Sequence, residues 1–203
     1  MRFALLAAGL LALAVLWLGP LPRLASGSFA AHMTLHMGVV ALAAPAIALG
    51  IAGRRIDPVR KAPWLFAPLP ASMVELVVVW AWHAPALHHA ARSSSSVLTI
   101  EQSSFLLSGL LLWLSAFGGN ERGRTDRAAA GIAALLLTSM HMTLLGALLA
   151  LPPRALYAHS PLFSELSGLT PLQDQHLGGA IMLVVGGVVY LLGGLRLSAG
   201  LLR

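Results

Sequence analysis

From Phe29 to Ala52 the chain carries no Asp, Glu, Lys or Arg, and five other stretches are nearly as free of charge. A helix needs roughly 20 apolar residues to cross the hydrocarbon core of a bilayer. The six stretches are Phe3–Leu18, Phe29–Ala52, Trp64–Trp82, Val97–Phe117, Ala128–Leu151 and Leu177–Leu195. They predict an all-α fold, a polytopic membrane helix bundle with about six transmembrane helices and one transmembrane domain over 1–203. Gly19-Pro20-Leu21-Pro22, Gly118-Gly119-Asn120 and Pro152-Pro153 punctuate it. Composition agrees: 10% of the 203 residues are charged and the mean hydropathy is +0.82, whereas soluble domains carry about a quarter charged residues.

The arginines orient the bundle. With both termini cytoplasmic, the inner segments hold Arg2, Arg54, Arg55, Arg60, Lys61, Arg122, Arg124, Arg127, Arg196 and Arg203. The outer segments hold only Arg23, Arg92 and Arg154. That asymmetry is the positive-inside pattern. It also accounts for the net charge of +6 without nucleic acid, which is not expected as a partner; lipid is. A lone basic residue before Phe3–Leu18 also fits a signal peptide cleaved near Leu24-Ala25-Ser26. The Gly-Pro-Leu-Pro sequence and the charge pattern favour a retained helix.

On this topology all eight histidines fall in the outer half. His32 and His36 lie just inside the second span, and His83, His88 and His89 at or beyond the end of the third. His141 lies about 15 Å deep in the fifth, and His159 and His176 belong to the last outer loop and the mouth of the sixth. There is no cysteine, so thiolate catalysis, disulfides and Cys-ligated metals are excluded. Any metal must use His, Met, carboxylate or backbone ligands.

His32 and His36 share a helix face, with Met33 and Met37 as the adjacent stripe. Imidazole suits copper, zinc or iron, while thioether selects cuprous copper. The pair fits copper ligation, and it also fits a polar contact between helices. His141, flanked by Met140 and Met142, is a polar group deep enough to need a partner or a cavity. His83 closes Trp80-Ala-Trp82-His83 at the water boundary, and His88 and His89 read as solvated loop residues. Glu75, about 10 Å below the outer surface, is protonated, paired or part of an ion path. Glu101 opens the fourth span, and Asp174 reads as the N-cap of the sixth. Carboxylates at these places ligate a metal or orient imidazoles through their second N–H. Gly178-Gly179, Gly186-Gly187 and Gly193-Gly194 form a smooth strip for helix packing.

No HExxH, Walker or dinucleotide-binding motif is present, and Ser93-Ser94-Ser95-Ser96 caps the fourth span without forming a nucleophile elbow. No catalysed reaction is expected.

The pieces His32-Met33-x-x-His36-Met37 leading to Ala44-Pro45, then Trp82-His83-x-Pro85, Glu101-Gln102-x-x-Phe105-Leu106, and Asp174-Gln175-x-x-Gly178-Gly179-x-Ile181-Met182 occur in this order. Together they make the chain resemble the multi-span CtaG-like family of bacterial cytochrome c oxidase assembly factors, found with caa-type oxidases. Gln102 stands where the family usually has a histidine. The resemblance implies a role in building a haem–copper oxidase at the bacterial inner membrane, with copper handed from the periplasmic face to an oxidase subunit. On that reading His32, His36, His83 and His141 hold the metal, assisted by Met33, Met37, Met142 and His176. Glu75, Glu101 and Asp174 tune them. Two alternatives stand beside it: a b-type haem protein using His36 and His141, and a scaffold subunit of a respiratory complex. A homo-oligomer is compatible with all three.

Overall fold

A computed structural model describes residues 2–120, 124–157, 164 and 167–202, with Arg124 by its backbone alone. His159, Arg122 and Arg203 lie outside the described residues. The described residues form helices and loops, with no strand among them. The elements are α1 (Arg2–Leu18), α2 (Leu21–Ala25), α3 (Phe29–Ile51), α4 (Pro68–His83), α5 (Pro85–Ser93), α6 (Ser95–Phe117), α7 (Arg124–Ala150) and α8 (Pro171–Leu201). Four of them, α3, α6, α8 and the Thr125–Ala150 stretch of α7, are long and apolar enough to cross a membrane. Helix α1 is apolar but shorter, and α4 has 16 residues. Large apolar side chains such as Leu11, Leu42, Val77, Leu107, Leu144 and Leu192 point outward, as a surface facing lipid tails requires.

Prolines set several boundaries. The expected third span starts at Trp64, yet α4 begins only at Pro68, and Trp64 sits in a short 3₁₀ turn, Pro63–Leu65. A residue before proline is pushed out of the helical region, and Ala67 is accordingly extended, with ψ at 122°. Pro45 lies inside α3, where its ring would meet the carbonyl of the preceding turn. A π-helical stretch, Gly38–Ala43, widens the helix just before it. The Val40 carbonyl within that stretch accepts the Trp113 indole N–H of α6 at 3.1 Å, so the distortion leaves that buried acceptor satisfied.

Helix α8, the expected sixth span, is longer than its apolar run because Thr170 caps it. The Thr170 side chain accepts the Gln173 N–H while the Gln173 side chain accepts the Thr170 N–H, a complete capping box. Asp174 is therefore one turn inside α8 and is not its N-cap, a correction to the reading from sequence. Helix α8 packs chiefly on α7 and α3, and its glycines make that packing close. A Cβ on Gly179 would lie 2.5 Å from the Ala150 nitrogen, and one on Gly146 would lie 2.6 Å from the Leu183 nitrogen. Here the two backbones touch, as small-residue interfaces allow.

The two ends of the bundle differ in chemistry. At one end Asp57 accepts the N–H groups of Gly53, Val59 and Gly119, and Arg2 and Arg127 donate to the Ala52 and Gly118 carbonyls. At the other end lie the starts of α3, α6 and α8 and the close of α4. This second end gathers the histidines.

Candidate metal centre

Helix α4 ends at His83, and extended Ala84 before Pro85 turns the chain sharply into α5. Helix α5 thus lies across the mouth of the bundle, and its inward side carries His88, Ala91 and Arg92. His88 and His89 are helical, not loop residues: Pro85 at the first turn is pre-set for helix. His88 is buried and His89 exposed.

Four imidazoles converge beneath α5. His32 and His36 stack one turn apart, with ring centroids 6.5 Å apart. His83 stands 5.7 Å from His32 and 5.3 Å from His36, and His88 stands 4.7 Å from His32. All four are at most 4% exposed. Phe105 of α6 packs against His36 at 4.0 Å and closes the cluster from below. Tyr157 stacks on Phe29, contacts His88, and donates its hydroxyl to the His83 carbonyl at 2.6 Å. Burial raises the Tyr157 phenol to about 12, which keeps it a donor. Burial, followed by the Arg92 charge, lowers His88 to about 3.

The ring nitrogens are differently committed. His83 donates Nδ1–H to the Val79 carbonyl at 2.6 Å, leaving the Nε2 lone pair buried and unpartnered. Such a backbone contact fixes the tautomer of a ligating histidine. Both nitrogens of His36, Nδ1 of His88 and Oε1 of Glu101 are likewise buried without a partner. Buried polar atoms are nearly always satisfied by protein, water or an ion, and these atoms are of the kinds that could hold a cation. His32, His88 and Glu101 each offer an atom within 4.8 Å of the other two.

Arg92 enters the same space. It donates Nη1–H to His32 Nδ1 at 2.6 Å and to the Ala25 carbonyl at 3.3 Å, and it pairs through Nη2 with Glu101 Oε2. Burial lowers the Arg92 pKa, and the adjacent Glu101 carboxylate opposes that shift. Gln102 donates to the same Glu101 oxygen at 3.1 Å.

The remaining expected residues lie elsewhere. His141 is buried in α7 with both nitrogens unpartnered and makes no ring contact with the four. Its neighbour one turn earlier, Thr138, hydrogen-bonds Ser72 of α4 at 2.8 Å. Met33, Met37 and Met142 fill the space left by the α8 glycines, Met33 at Gly178 and the other two at Gly186. His176 donates Nε2–H to the Pro152 carbonyl at 2.9 Å. Glu75 accepts the Tyr190 hydroxyl at 2.7 Å, with its other oxygen unpartnered. Asp174 accepts from Ser28 Oγ and from the N–H groups of Phe29 and Ala30. His88, Arg92 and Tyr157 join the site without having been singled out as site residues. The one hint in the sequence was Arg92, a rare outer arginine within ten residues of a membrane carboxylate.

The family model of the cytochrome c oxidase caa3 assembly factor (Caa3_CtaG) matches residues 1–203, the whole chain. No curated protein and no solved structure matches it.

Proposed function

The chain belongs to the family of cytochrome c oxidase caa3 assembly factors, and on that premise we propose that it carries copper to an oxidase subunit during assembly. The observation that supports this reading is that His32, His88 and Glu101 bring ligand atoms within 4.8 Å of one another, with the rings of His36 and His83 packed beside them. Imidazoles with one carboxylate accommodate copper, as they would zinc or iron, without cysteine, so the choice of copper follows from the oxidase-assembly family. His32, His88 and Glu101 are the donors within reach of one ion, and His36 and His83, with nitrogens free of other partners, stand next to them. Handover needs no catalysed reaction: ligands of a partner replace imidazoles one at a time. The protein spans the inner membrane six times with both termini cytoplasmic, so the site opens to the periplasm, where the recipient subunit presents its own ligands.

The test is metal analysis and absorption spectroscopy on detergent-purified protein supplied with cuprous copper. The reading expects stoichiometric copper, lost when His32→Ala and His88→Ala are combined. Substoichiometric copper that these substitutions leave unchanged would overturn it. A Soret band in the purified protein would favour the haem alternative.

A further inference from the structure

Arg92 occupies the position a cation would need. His32 Nδ1 and Glu101 Oε2 are 3.9 Å apart, a spacing available to two ligands that each lie about 2.0–2.2 Å from one ion. The Arg92 guanidinium bridges these same two atoms. A guanidinium only donates, so His32 Nδ1 is spent as its acceptor and the ring proton sits on Nε2. While Arg92 is in place, neither His32 Nδ1 nor that Glu101 oxygen is free for a metal.

The fit of Arg92 is incomplete. Its Nε is buried without a partner, and its side chain is only 10% exposed. Arginine frequently binds a carboxylate through two parallel bonds, and Arg92 gives Glu101 one. Here the fork is split among the His32 imidazole, the Glu101 carboxylate and, at 3.3 Å, the Ala25 carbonyl, and α5, which carries Arg92, also carries His88 one turn away. Arg92 lies near the C-terminal end of α5, next to exposed Ser93, so a short swing takes its charge to water.

The geometry points to Arg92 as a resident counter-ion that is exchanged for a monovalent metal cation at the Glu101–His32 pair. This inference rests on the copper reading of the same site. The exchange balances. The bonds from Nη1–H to His32 and to the Ala25 carbonyl and from Nη2–H to Glu101 break, the guanidinium leaves with its single positive charge, and a cuprous ion brings one positive charge to the same carboxylate. The buried charge is unchanged, which matters because an uncompensated buried charge is costly. A divalent ion leaves one positive charge uncompensated among neutral imidazoles, a charge balance that favours a monovalent ion although the imidazole and carboxylate donors do not themselves select the cuprous state. The site is then closed by its own arginine when empty and is not left as an open anionic hole.

The test is competition titration of the full-length protein with cuprous copper and a chelator of known affinity, for wild type, Arg92→Ala and Arg92→Lys. Removing the competing charge should tighten cuprous binding by roughly tenfold or more in Arg92→Ala, with Arg92→Lys near wild type. In parallel, wild type is treated with a guanidine-directed dicarbonyl reagent before and after copper loading, and modification of Arg92 is read by mass spectrometry. Loading should expose Arg92. Should Arg92→Ala not fold, this second reading carries the test. If wild type binds copper, but Arg92→Ala binds no tighter or Arg92 stays protected on loading, the exchange is wrong while the copper reading stands. If neither wild type nor Arg92→Ala takes up copper, both fall.

Discussion

The Asp174 carboxylate accepts the Phe29 backbone N–H at 2.6 Å, across 145 residues of sequence. It reaches from the first turn of α8 to the exposed amides that open α3, and it takes Ala30 N–H and Ser28 Oγ as well. Ser28 is itself the N-cap of α3. A carboxylate at a helix N-terminus meets both the unsatisfied N–H groups and the positive end of the dipole. His32 stands on the first turns of α3, so this contact also fixes where the histidine cluster begins.

Asp174→Ala should therefore destabilise the protein by about 1–3 kcal/mol, the cost of leaving buried donors unpaired. Thr170→Ala, which removes an exposed cap, should cost less, about 0.5–2 kcal/mol. Thermal unfolding followed by circular dichroism in detergent ranks the two. Equal losses would show that the contact between α8 and α3 adds nothing to ordinary capping.

What the sequence disclosed divides along a physical line. Local period was legible: the His32–His36 face, four of the six apolar spans and the glycine strip of α8, although the Pro68 start of α4 and the Thr170 cap of α8 were local signals that were missed. Whatever depends on one helix meeting another was not legible. Met33 and Met37 follow His32 and His36 by one residue, which on an α-helix is about 100° around the axis. That rotation was read as an adjacent stripe of the same site. In the bundle it is enough to turn the methionines to the glycines of α8 while the histidines face α4 and α6. His88 read as solvated because nothing local records that α5 folds back over the mouth. Arg92 was counted only as a charge for topology, since its partners His32 and Ala25 are 60 and 67 residues away.

Sidedness can be measured without altering any native thiol, since the chain has no cysteine. Ser93 and Arg55 are both exposed and lie at opposite ends of the bundle. In intact spheroplasts a membrane-impermeant maleimide should label Ser93→Cys and not Arg55→Cys until the membrane is opened. The reverse pattern would place the histidine cluster on the cytoplasmic side and refute periplasmic handover.

Acid should weaken the fold through His88. Burial, reinforced by Arg92, His83 and His89, lowers its pKa from 6.5 to about 3. Above pH 6.5 the ring is neutral in both the folded and the unfolded chain and contributes no pH dependence. Between 6.5 and about 3 the unfolded chain binds a proton that the native state refuses, so stability falls as pH falls through this window. His88→Phe keeps a ring against Phe29 and Tyr157 and removes the proton site. Its acid-unfolding midpoint, followed by tryptophan fluorescence, should move to lower pH than that of wild type. An unmoved midpoint would locate the acid lability elsewhere.

Glu75 and Tyr190 test how the middle of the bundle tolerates a carboxyl group. The Tyr190 hydroxyl is the one hydrogen-bond partner of Glu75 among the described residues, and Trp113 stacks on the Tyr190 ring at 5.4 Å. Tyr190→Phe keeps that stacking but leaves both Glu75 oxygens without a partner. It should cost about 1–3 kcal/mol, the penalty for an orphaned buried acceptor. Glu75→Gln keeps an acceptor for the tyrosine and should cost less. Glu75→Leu made together with Tyr190→Phe removes both members and should recover part of the Tyr190→Phe loss, because an apolar pair of similar shape leaves nothing unsatisfied. A double-mutant cycle on thermal stability measures that recovery. Strict additivity would mean the hydroxyl and the carboxyl act independently, and that Glu75 is held by something other than Tyr190.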